Sequence, residues 1–380
     1  MAKRNPLQKP ITETDYRNPL QKSITEGHFA NYSTGSMNRK ALVATIRDVA
    51  LEAKVSAATV SRFLNHTATV SPPVADRIQA AVALLKYVPN GAARTLTTRR
   101  TNLISLVVPH RAFHYFGSFF APLLSGVETV ATEYGMSLVI SARRESFTDP
   151  FSLALGPRNS DGMLVFANSL PDEVVIHMHS MGFPMVLIHR SPPPGLDTPC
   201  VLIENERPAF EIVQHLVQVH GRRRILFLRG IETQQDSLER ERGYLRALQA
   251  NGIEFDPALV LRGDFDREVA LTVTKRALAD GLQFDAAFAC DDEAALGVKV
   301  ALEASGLRVP ADVALVGFDD QYGVADLTPP LTTVRAPSKQ VGQVAAEQLV
   351  RCIAGEIVER VTRLPVSVVL RQSCGCTAAT

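Results

Sequence analysis

Residues 44–71 read ATIRDVALEAKVSAATVSRFLNHTATVS, and the spacing of their apolar side chains decides how the amino-terminal part folds. Ile46, Val49, Ala50 and Ala53 recur at helical spacing, behind Thr45, whose hydroxyl can accept from the free N–H groups of a first turn. The pattern breaks at Lys54-Val55, and Ser56 then opens a second short helix with Val60, Phe63 and Leu64 facing inward. Ser71, Pro72 and Pro73 start a third helix carrying Val74, Ile78, Val82 and Leu85, proline being tolerated where the backbone N–H has no helical partner anyway. Two helices joined by a tight turn, the second short and capped, form a helix-turn-helix, whose second helix can enter the major groove of DNA.

The exposed side of that second helix is expected to hold Ala57, Ala58, Ser61 and Arg62. An arginine fork can donate two hydrogen bonds to a guanine edge, and alanines can touch thymine methyls. Thr59 and Ser61 can instead hold phosphates, which fix register without reading sequence. Thr45, Ser56 and Asn65, at the helix ends, complete the expected set of DNA contacts. Geometry alone leaves a small helical domain without DNA as the other reading.

Charge favours a polyanion partner. Residues 37–100 carry ten basic and three acidic residues, a net +7, whereas 101–380 carry −8 and the first 36 residues +2. The formal charge of +1 therefore conceals a basic unit attached to an acidic body, and a basic unit gains affinity for phosphates by releasing their counterions.

The 380 residues, 46% hydrophobic and 21% charged, suit two or three globular domains with their own cores. No uninterrupted apolar run approaches the roughly 18 residues of a membrane span, and the polar, proline-broken start has no apolar signal region; no membrane partner and a cytoplasmic location are expected. In the first 36 residues, RNPLQKPITETDY at 4–16 is echoed by RNPLQKSITEGHF at 17–29. Two copies cannot build a solenoid, so 1–36 is read as a disordered extension, with Met37 the expected native start. The five cysteines, Cys200, Cys290, Cys352, Cys374 and Cys376, do not make a disulfide framework and are expected to be reduced. Cys374-Gly375-Cys376 is close enough for metal or redox work but is read as part of a frayed tail, 374–380.

Residues 44–71, followed by KYVPNGAARTLTTRRTNLISLVVP at 86–109, resemble the two signatures of the lactose/galactose repressor family of bacterial transcription regulators, TIxDVAxxAGVSxxTVSRxLN and YxPNxxARxLxxxxTxxIGLxxP. The resemblance extends from residue 45 to about 373. Lys54 replaces the signature's turn glycine, where a left-handed backbone is expected to cost a side-chain-bearing residue about 1 kcal/mol. Ser105 stands where the family has glycine at the start of the core, read as a packing adjustment. The resemblance divides the chain into a headpiece at 43–88, a hinge at 89–100 and an effector-binding and dimerisation core at 101–373. It makes the hinge a helix that orders on DNA, with Asn90, Ala93 and Leu96 at the minor groove and Leu96 as its wedge; Leu96 packing on the core is the alternative.

From Asn102 onward strands and helices alternate. LISLVVP is a nearly continuous apolar run, as in a buried parallel strand, and SLVISA, GMLVFA, PMVLIH, RILFLRG, AAFACD and VALVGFDD are further strands. Helical segments such as LLSGVETVATEYG, AFEIVQHLVQV and EAALGVKVALEASG lie between them. Such alternation is an α/β pattern. The expected fold is thus an all-α helix-turn-helix domain plus an α/β core of two doubly wound parallel-sheet lobes, which by resemblance is periplasmic-binding-protein-like.

A ligand in such a core lies beyond the carboxyl ends of the strands, between the lobes. DDEAALG at 291–297 resembles the family's NDxxALG and places Asp292 at its ligand-contacting aspartate. ERERGYLRAL at 239–248 resembles RxxGYxxAL and places Arg240 at its ligand-contacting arginine. Phe265 falls where the family puts a stacking aromatic, and His189 replaces an aspartate common in PVVLIDR. Tyr115, Phe116 and Phe119 line either the pocket or the core. The resemblance implies a small-molecule effector, a sugar or derivative by the Arg/Asp/aromatic set, although purine-binding members share the fold.

Other signals are discounted. His177, His179 and His189 lack a third metal ligand fixed by spacing, the basic run Arg222-Arg223-Arg224 follows a helix end whose dipole it suits, and no phosphate loop or catalytic set is present. No metal, cofactor or enzymatic activity is expected. The function so read is a repressor working as a homodimer or larger assembly on a pseudo-palindromic operator. The alternative is a sugar-binding protein without DNA-binding activity.

Overall fold

A computed structural model describes residues 44–65, 68–88, 100–109, 119–143, 156 and 159–377. The extension, the hinge with Asn90, Ala93 and Leu96, and Tyr115 and Phe116 lie outside these residues.

In the headpiece, α1 (Ile46–Glu52) is opened by a reciprocal cap, in which the Asp48 N–H donates to the Thr45 hydroxyl and the Thr45 N–H to Asp48 at 2.8 Å. Ala53 ends it, and Lys54 turns the chain at φ +55°, the left-handed backbone that the missing glycine would have supplied freely. The Ser56 hydroxyl accepts from the Thr59 N–H at 3.1 Å and starts α2 (Ala57–Leu64). Ser71 precedes α3 (Pro72–Leu84) without a side-chain cap bond. Pro73 has removed one of the two N–H groups such a cap would serve, and the Val74 N–H goes to the Ser71 carbonyl at 2.9 Å. Val49, Ala50, Ala53, Val60, Ile78 and Ala81 are the buried centre, with Phe63, Leu64, Val74, Val82 and Leu85 packed on it. Ile46 is packed there too, so these residues follow the inward faces that periodicity predicts, and Val55, Ala57 and Tyr87 join them.

Among the described residues the core contains two parallel sheets and one antiparallel pair of strands. In the first lobe β1 (Leu103–Pro109), β2 (Ser137–Arg143), β3 (Gly162–Phe166), β4 (Met185–Ile188), β5 (Cys200–Ile203) and β11 (Val361–Leu364) form one parallel sheet in the order β11-β5-β4-β3-β1-β2. In the second, β6 (Ile225–Arg229), β7 (Val260–Arg262), β8 (Ala286–Ala289) and β9 (Ala314–Val316) run parallel in the order β7-β6-β8-β9. The antiparallel pair β10 (Thr333–Arg335) and β12 (Ser367–Val369) lies along the chain passages between lobes. Strands β3, β4, β5 and β8 are buried throughout, which is why they read as apolar runs rather than alternating patterns. Ser105, expected as a packing adjustment, is fully buried in β1, its hydroxyl 3.3 Å from the Gly162 carbonyl.

Helices α4 (Ala121–Glu133), α5 (Asp172–Ser180) and α10 (Ser338–Ile353) pack in the first lobe; α6 (Glu206–Gln218) packs on α7 (Gln235–Ala250), and α8 (Arg267–Ala279) on α9 (Asp292–Ala304), in the second. His177 and His179 lie on α5, where an i, i+2 pair does not share a face. Arg222 donates to the Pro310 carbonyl at 2.9 Å, and the backbone N–H groups of Arg223 and Arg224 are held by Asp285, so this run anchors the entry to β6. The expected free tail from 374 is corrected: Gln372–Cys374 form a 3₁₀ turn in which Ser373 and Cys374 are buried. Ser373 accepts from the Thr332 N–H at 2.7 Å and donates to the Leu315 carbonyl at 2.6 Å, contacts to residues far upstream that no local pattern announces.

Two backbone contacts set the α4–α10 crossing. A Cβ added to Gly126 would lie 2.1 Å from the Lys339 carbonyl oxygen, and one on Gly342 2.1 Å from that of Leu123. Gly342→Ala is therefore expected to destabilise the core by about 1–3 kcal/mol through overpacking, despite a helix-propensity gain of about 1 kcal/mol; a raised urea midpoint would show that the helices have room to spare. Lys54→Gly should act oppositely on the headpiece. It relieves about 1–2 kcal/mol of left-handed strain against about 0.5–1 kcal/mol of added chain entropy, so headpiece melting should rise, and a fall would exclude strain at this turn.

Candidate functional site

The headpiece presents a narrower exposed face than periodicity suggests. Ala58 and Arg62, one turn apart on α2, are exposed. Ala57 is half-buried and packs on the headpiece core, because the first residue after the Ser56 cap faces back toward α1. The Ser56 and Thr59 hydroxyls lie 2.8 Å apart, and Asn65 Nδ2 donates to the Ser61 hydroxyl at 3.3 Å. Thr45 is exposed at the start of α1. The hydroxyls thus stand at helix ends in short networks, with the one long cationic side chain of α2 between them.

In the core, the carboxyl ends of the strands converge on Arg240. This residue projects from α7 and is 3% exposed. Its Nε donates to Asn205 Oδ1 at 2.9 Å, its Nη1 to the Cys290 carbonyl, and its Nη2 lies 3.5 Å from Asp319 Oδ1 and 3.9 Å from Asp236 Oδ2. Its guanidinium carbon sits 3.6 Å from the centre of the Phe318 ring and 5.9 Å from that of Phe265. A planar cation stacked on an aromatic face and edged by acceptors is the arrangement guanidinium favours. Burial alone would loosen its proton, and Asp319 and Asp236 more than reverse this, so the cation is retained.

His189 stands across from it, just beyond β4, at φ +57° and 3% exposed. Its ring lies 5.4 Å from Phe166, which ends β3, and 6.0 Å from Phe119. Nδ1 is 2.7 Å from Asp236 Oδ2 without hydrogen-bond alignment, and Nε2 is buried with no hydrogen-bond partner among the described residues. Burial pushes the Asp236 carboxyl up, but the His189 and Arg240 charges and the Asn205 amide outweigh it and hold the group below its ordinary value. Since Asp236 belongs to α7 and His189 to the first lobe, the pair bridges the lobes. Asn168 Nδ2 to the Thr233 carbonyl at 2.8 Å and the Ser191 N–H to Gln235 Oε1 at 2.7 Å do the same.

Asp292 is placed differently from Arg240 and His189. It is fully buried, and its two oxygens accept from the Thr333 hydroxyl at 2.7 Å and the Gln321 N–H at 2.8 Å. Its carboxyl group fastens the β10 segment to the start of α9, and burial together with the neighbouring Asp319 and Asp291 pushes it well above the ordinary carboxyl range. Asp319, after β9, and Asp291, whose side chain caps α9 through the Ala294 N–H at 2.9 Å, both act on the Arg240 charge. Burial pushes Asp319 up to about 6 and Asp291 to about 8. Phe265, at φ +57°, lays its ring against Gly230, where any Cβ would lie 2.2 Å from it. His189, Phe265 and Asp319 are side-chain-bearing residues at positive φ, and strained backbone of this kind gathers at ligand sites. A cavity of about 610 Å³ opens at Asp319, lined also by Phe119, Gln321, Arg335 and Gln343 but not by His189 or Phe265.

Sequence reading thus brought Arg240, His189, Phe265 and Phe119 to one region and missed Asp236, Asn205, Phe318 and Asp319. VALVGFDD was recognised as a strand, and the acidic pair at its carboxyl end was the available signal for Asp319. Asp291 and Asp319 favour protons in the folded protein more than in the unfolded chain, so they cost stability as pH rises from about 4 through about 8. Asp291→Asn preserves the cap, asparagine being its equal there, and removes that cost. The variant should gain on the wild type between pH 5 and 8 and level off above, reaching at least about 1 kcal/mol; equal melting temperatures of the two proteins across this range would exclude a protonated Asp291.

With this geometry in place, comparison with known proteins is informative. Residues 45–90 match the family described as bacterial regulatory proteins, lacI family, and residues 213–374 a periplasmic binding protein-like domain. The chain is similar to the HTH-type transcriptional regulator CelR of Thermobifida fusca, 34% identical over 322 residues that span 83% of this chain and 94% of CelR. Among solved structures it is similar to a CelR–cellobiose complex, with a TM-score of 0.65 and 32% identity over 87% of this chain and 99% of that one. It is also similar to a lac repressor dimer bound to operator and the anti-inducer ONPF, with a TM-score of 0.74 and 27% identity over 87% and 99%.

Proposed function

Because the chain belongs to the lacI family of bacterial regulatory proteins, we propose that it represses transcription from a pseudo-palindromic operator as a homodimer, under control of a saccharide bound between the lobes of its core. It is a DNA-binding transcription regulator rather than an enzyme, with a helix-turn-helix head and a two-lobed core. No helix among the described residues is long and apolar enough to cross a membrane.

The single observation that carries the effector reading is the buried, unpartnered Nε2 of His189 beside Phe119 and Phe166. A buried polar atom without a partner costs free energy, and a ligand hydroxyl reaching it would remove that cost while its C–H face packs on the two rings. Asp319, one carboxylate oxygen toward Arg240, has capacity to accept from further hydroxyls. Arg240 acts by orienting Asp319 and by the part of its fork nearest the cleft. Asp292 holds the loop that carries Gln321. Control follows from linkage: a ligand that changes the His189–Asp236, Asn168–Thr233 and Ser191–Gln235 bridges favours one closure state of the lobes, and DNA affinity shifts by the difference between those states.

On DNA, Arg62 and Ala58 read base edges while Thr45, Ser56, Thr59, Ser61 and Asn65 serve phosphates. Arg62→Ala is expected to relax preference at one position per half-site by about 1–3 kcal/mol and to leave the others intact; an unchanged consensus from selected-sequence binding would remove Arg62 from the reading. For the core, a thermal-shift screen of the full chain against mono- and disaccharides should find a ligand giving about 2.7 kcal/mol at a hundred times its dissociation constant. That stabilisation should be lost in His189→Phe. A screen in which only nucleobases stabilise the protein would overturn the saccharide.

A further inference from the structure

His215 lies in the last turn of α6, and His220 in the turn after it, where Gly221 at φ +66° reverses the chain. Facing them across the second lobe are Cys374 and Cys376, from the segment that follows β12. One ligand atom from each of the four residues falls within 4.8 Å of every other. The two histidine Nε2 atoms are 3.2 Å apart, and His215 Nε2 is 3.7 Å from Cys374 Sγ and 3.3 Å from Cys376 Sγ. His220 Nε2 is 3.5 Å from Cys376 Sγ.

These four separations are close to four of the six edges of a ligand tetrahedron, and the other two are no longer than 4.8 Å. Zinc–nitrogen bonds of about 2.05 Å and zinc–sulfur bonds of about 2.3 Å, at tetrahedral angles, require about 3.3 Å between nitrogens and about 3.6 Å between nitrogen and sulfur. The backbone is shaped for it. In an extended segment the side chains of residues i and i+2 share a face but stand more than about 6 Å apart, whereas Gly375 at φ +110° folds Cys376 back toward the same histidines. A Cβ at Gly375 would lie 3.0 Å from His220 Nδ1, so this close approach also favours glycine. The buried Cys374 sulfur is supported by the Thr332 hydroxyl at 3.1 Å, and hydrogen bonds to a ligand sulfur steady it and tune its charge.

We propose that His215, His220, Cys374 and Cys376 form a closed tetrahedral zinc(II) site that ties the carboxyl-terminal segment to α6. Two thiolates and two imidazoles select zinc among the common divalent ions, and four protein ligands leave no open position for a substrate, so the role is structural. On binding, each thiol gives up its proton to solvent and the imidazoles ligate in the neutral form; no redox change occurs. The ion secures the point where the last passage between lobes, β11 to β12, lands on the second lobe through Ser373 and Cys374.

The test uses the full chain, without an affinity tag, purified under reducing conditions, loaded with zinc and desalted. Elemental analysis should return one zinc ion per chain, and chelation should lower the melting temperature. Cobalt(II) loading should give tetrahedral d–d absorption with thiolate-to-cobalt charge transfer. Cys376→Ser and His220→Gln should each weaken zinc binding by at least about 10–100-fold, the loss already typical of supporting residues, with unchanged circular dichroism, while Cys352→Ser should bind as wild type. The wild-type cobalt spectrum decides the matter even where a variant does not fold. Substoichiometric zinc, a cobalt spectrum lacking thiolate bands, or a Cys374–Cys376 disulfide formed under these reducing conditions would overturn the proposal.

Discussion

A buried guanidinium that cannot lose its proton is the constraint around which the core is arranged. Arg240 is 3% exposed, and an isolated charge at such a place costs many kcal/mol, so the surroundings must supply acceptors and a polarisable face. They come from widely separated points of the chain: Asn205 before α6, the Cys290 carbonyl after β8, Asp319 after β9 and the Phe318 ring. Each follows or precedes a strand or helix of the second lobe. Satisfying one cation therefore fixes where several loops can lie, and those loops form the second lobe's wall of the cleft.

The same cation conditions the acids beside it. Asp236, between His189 and Arg240, is held ionised, whereas Asp319 and Asp291, more weakly compensated for their burial, are pushed up to about 6 and about 8. Carboxyl groups a few ångströms apart thus have different protonation behaviour because their charge partners differ. Through Asp236 the cluster reaches His189 in the first lobe, so the balance of charge around Arg240 and the closure of the lobes are parts of one network.

Much of the architecture was legible in the sequence because it rests on short-range rules. Thr45, Ser56 and the Pro72-Pro73 pair mark helix starts by local hydrogen-bond chemistry, and seven apolar runs mark strands, most of them buried on both faces. Arg240, His189, Phe265 and Phe119 could be brought to one region through motif resemblance and through their places after strands. Asp292 shows the limit of that route, because its bonds to Thr333 and Gln321 join it to residues far along the chain that no motif marks. Ala57 shows another limit in the headpiece, where one step of helical phase separates an exposed residue from a packed one.

By itself the sequence determined the two-part charge distribution, the helix-turn-helix, the alternating α/β core and the family of regulators to which the chain belongs. These depend on composition and on periodicities of a few residues. Only the tertiary structure decided which acids face Arg240, that His189 meets Asp236, and that Cys374 and Cys376 close on His215 and His220. Each of those contacts joins residues whose separation along the chain carries no information about their distance in space, and the packing of sheets and helices alone brings them together.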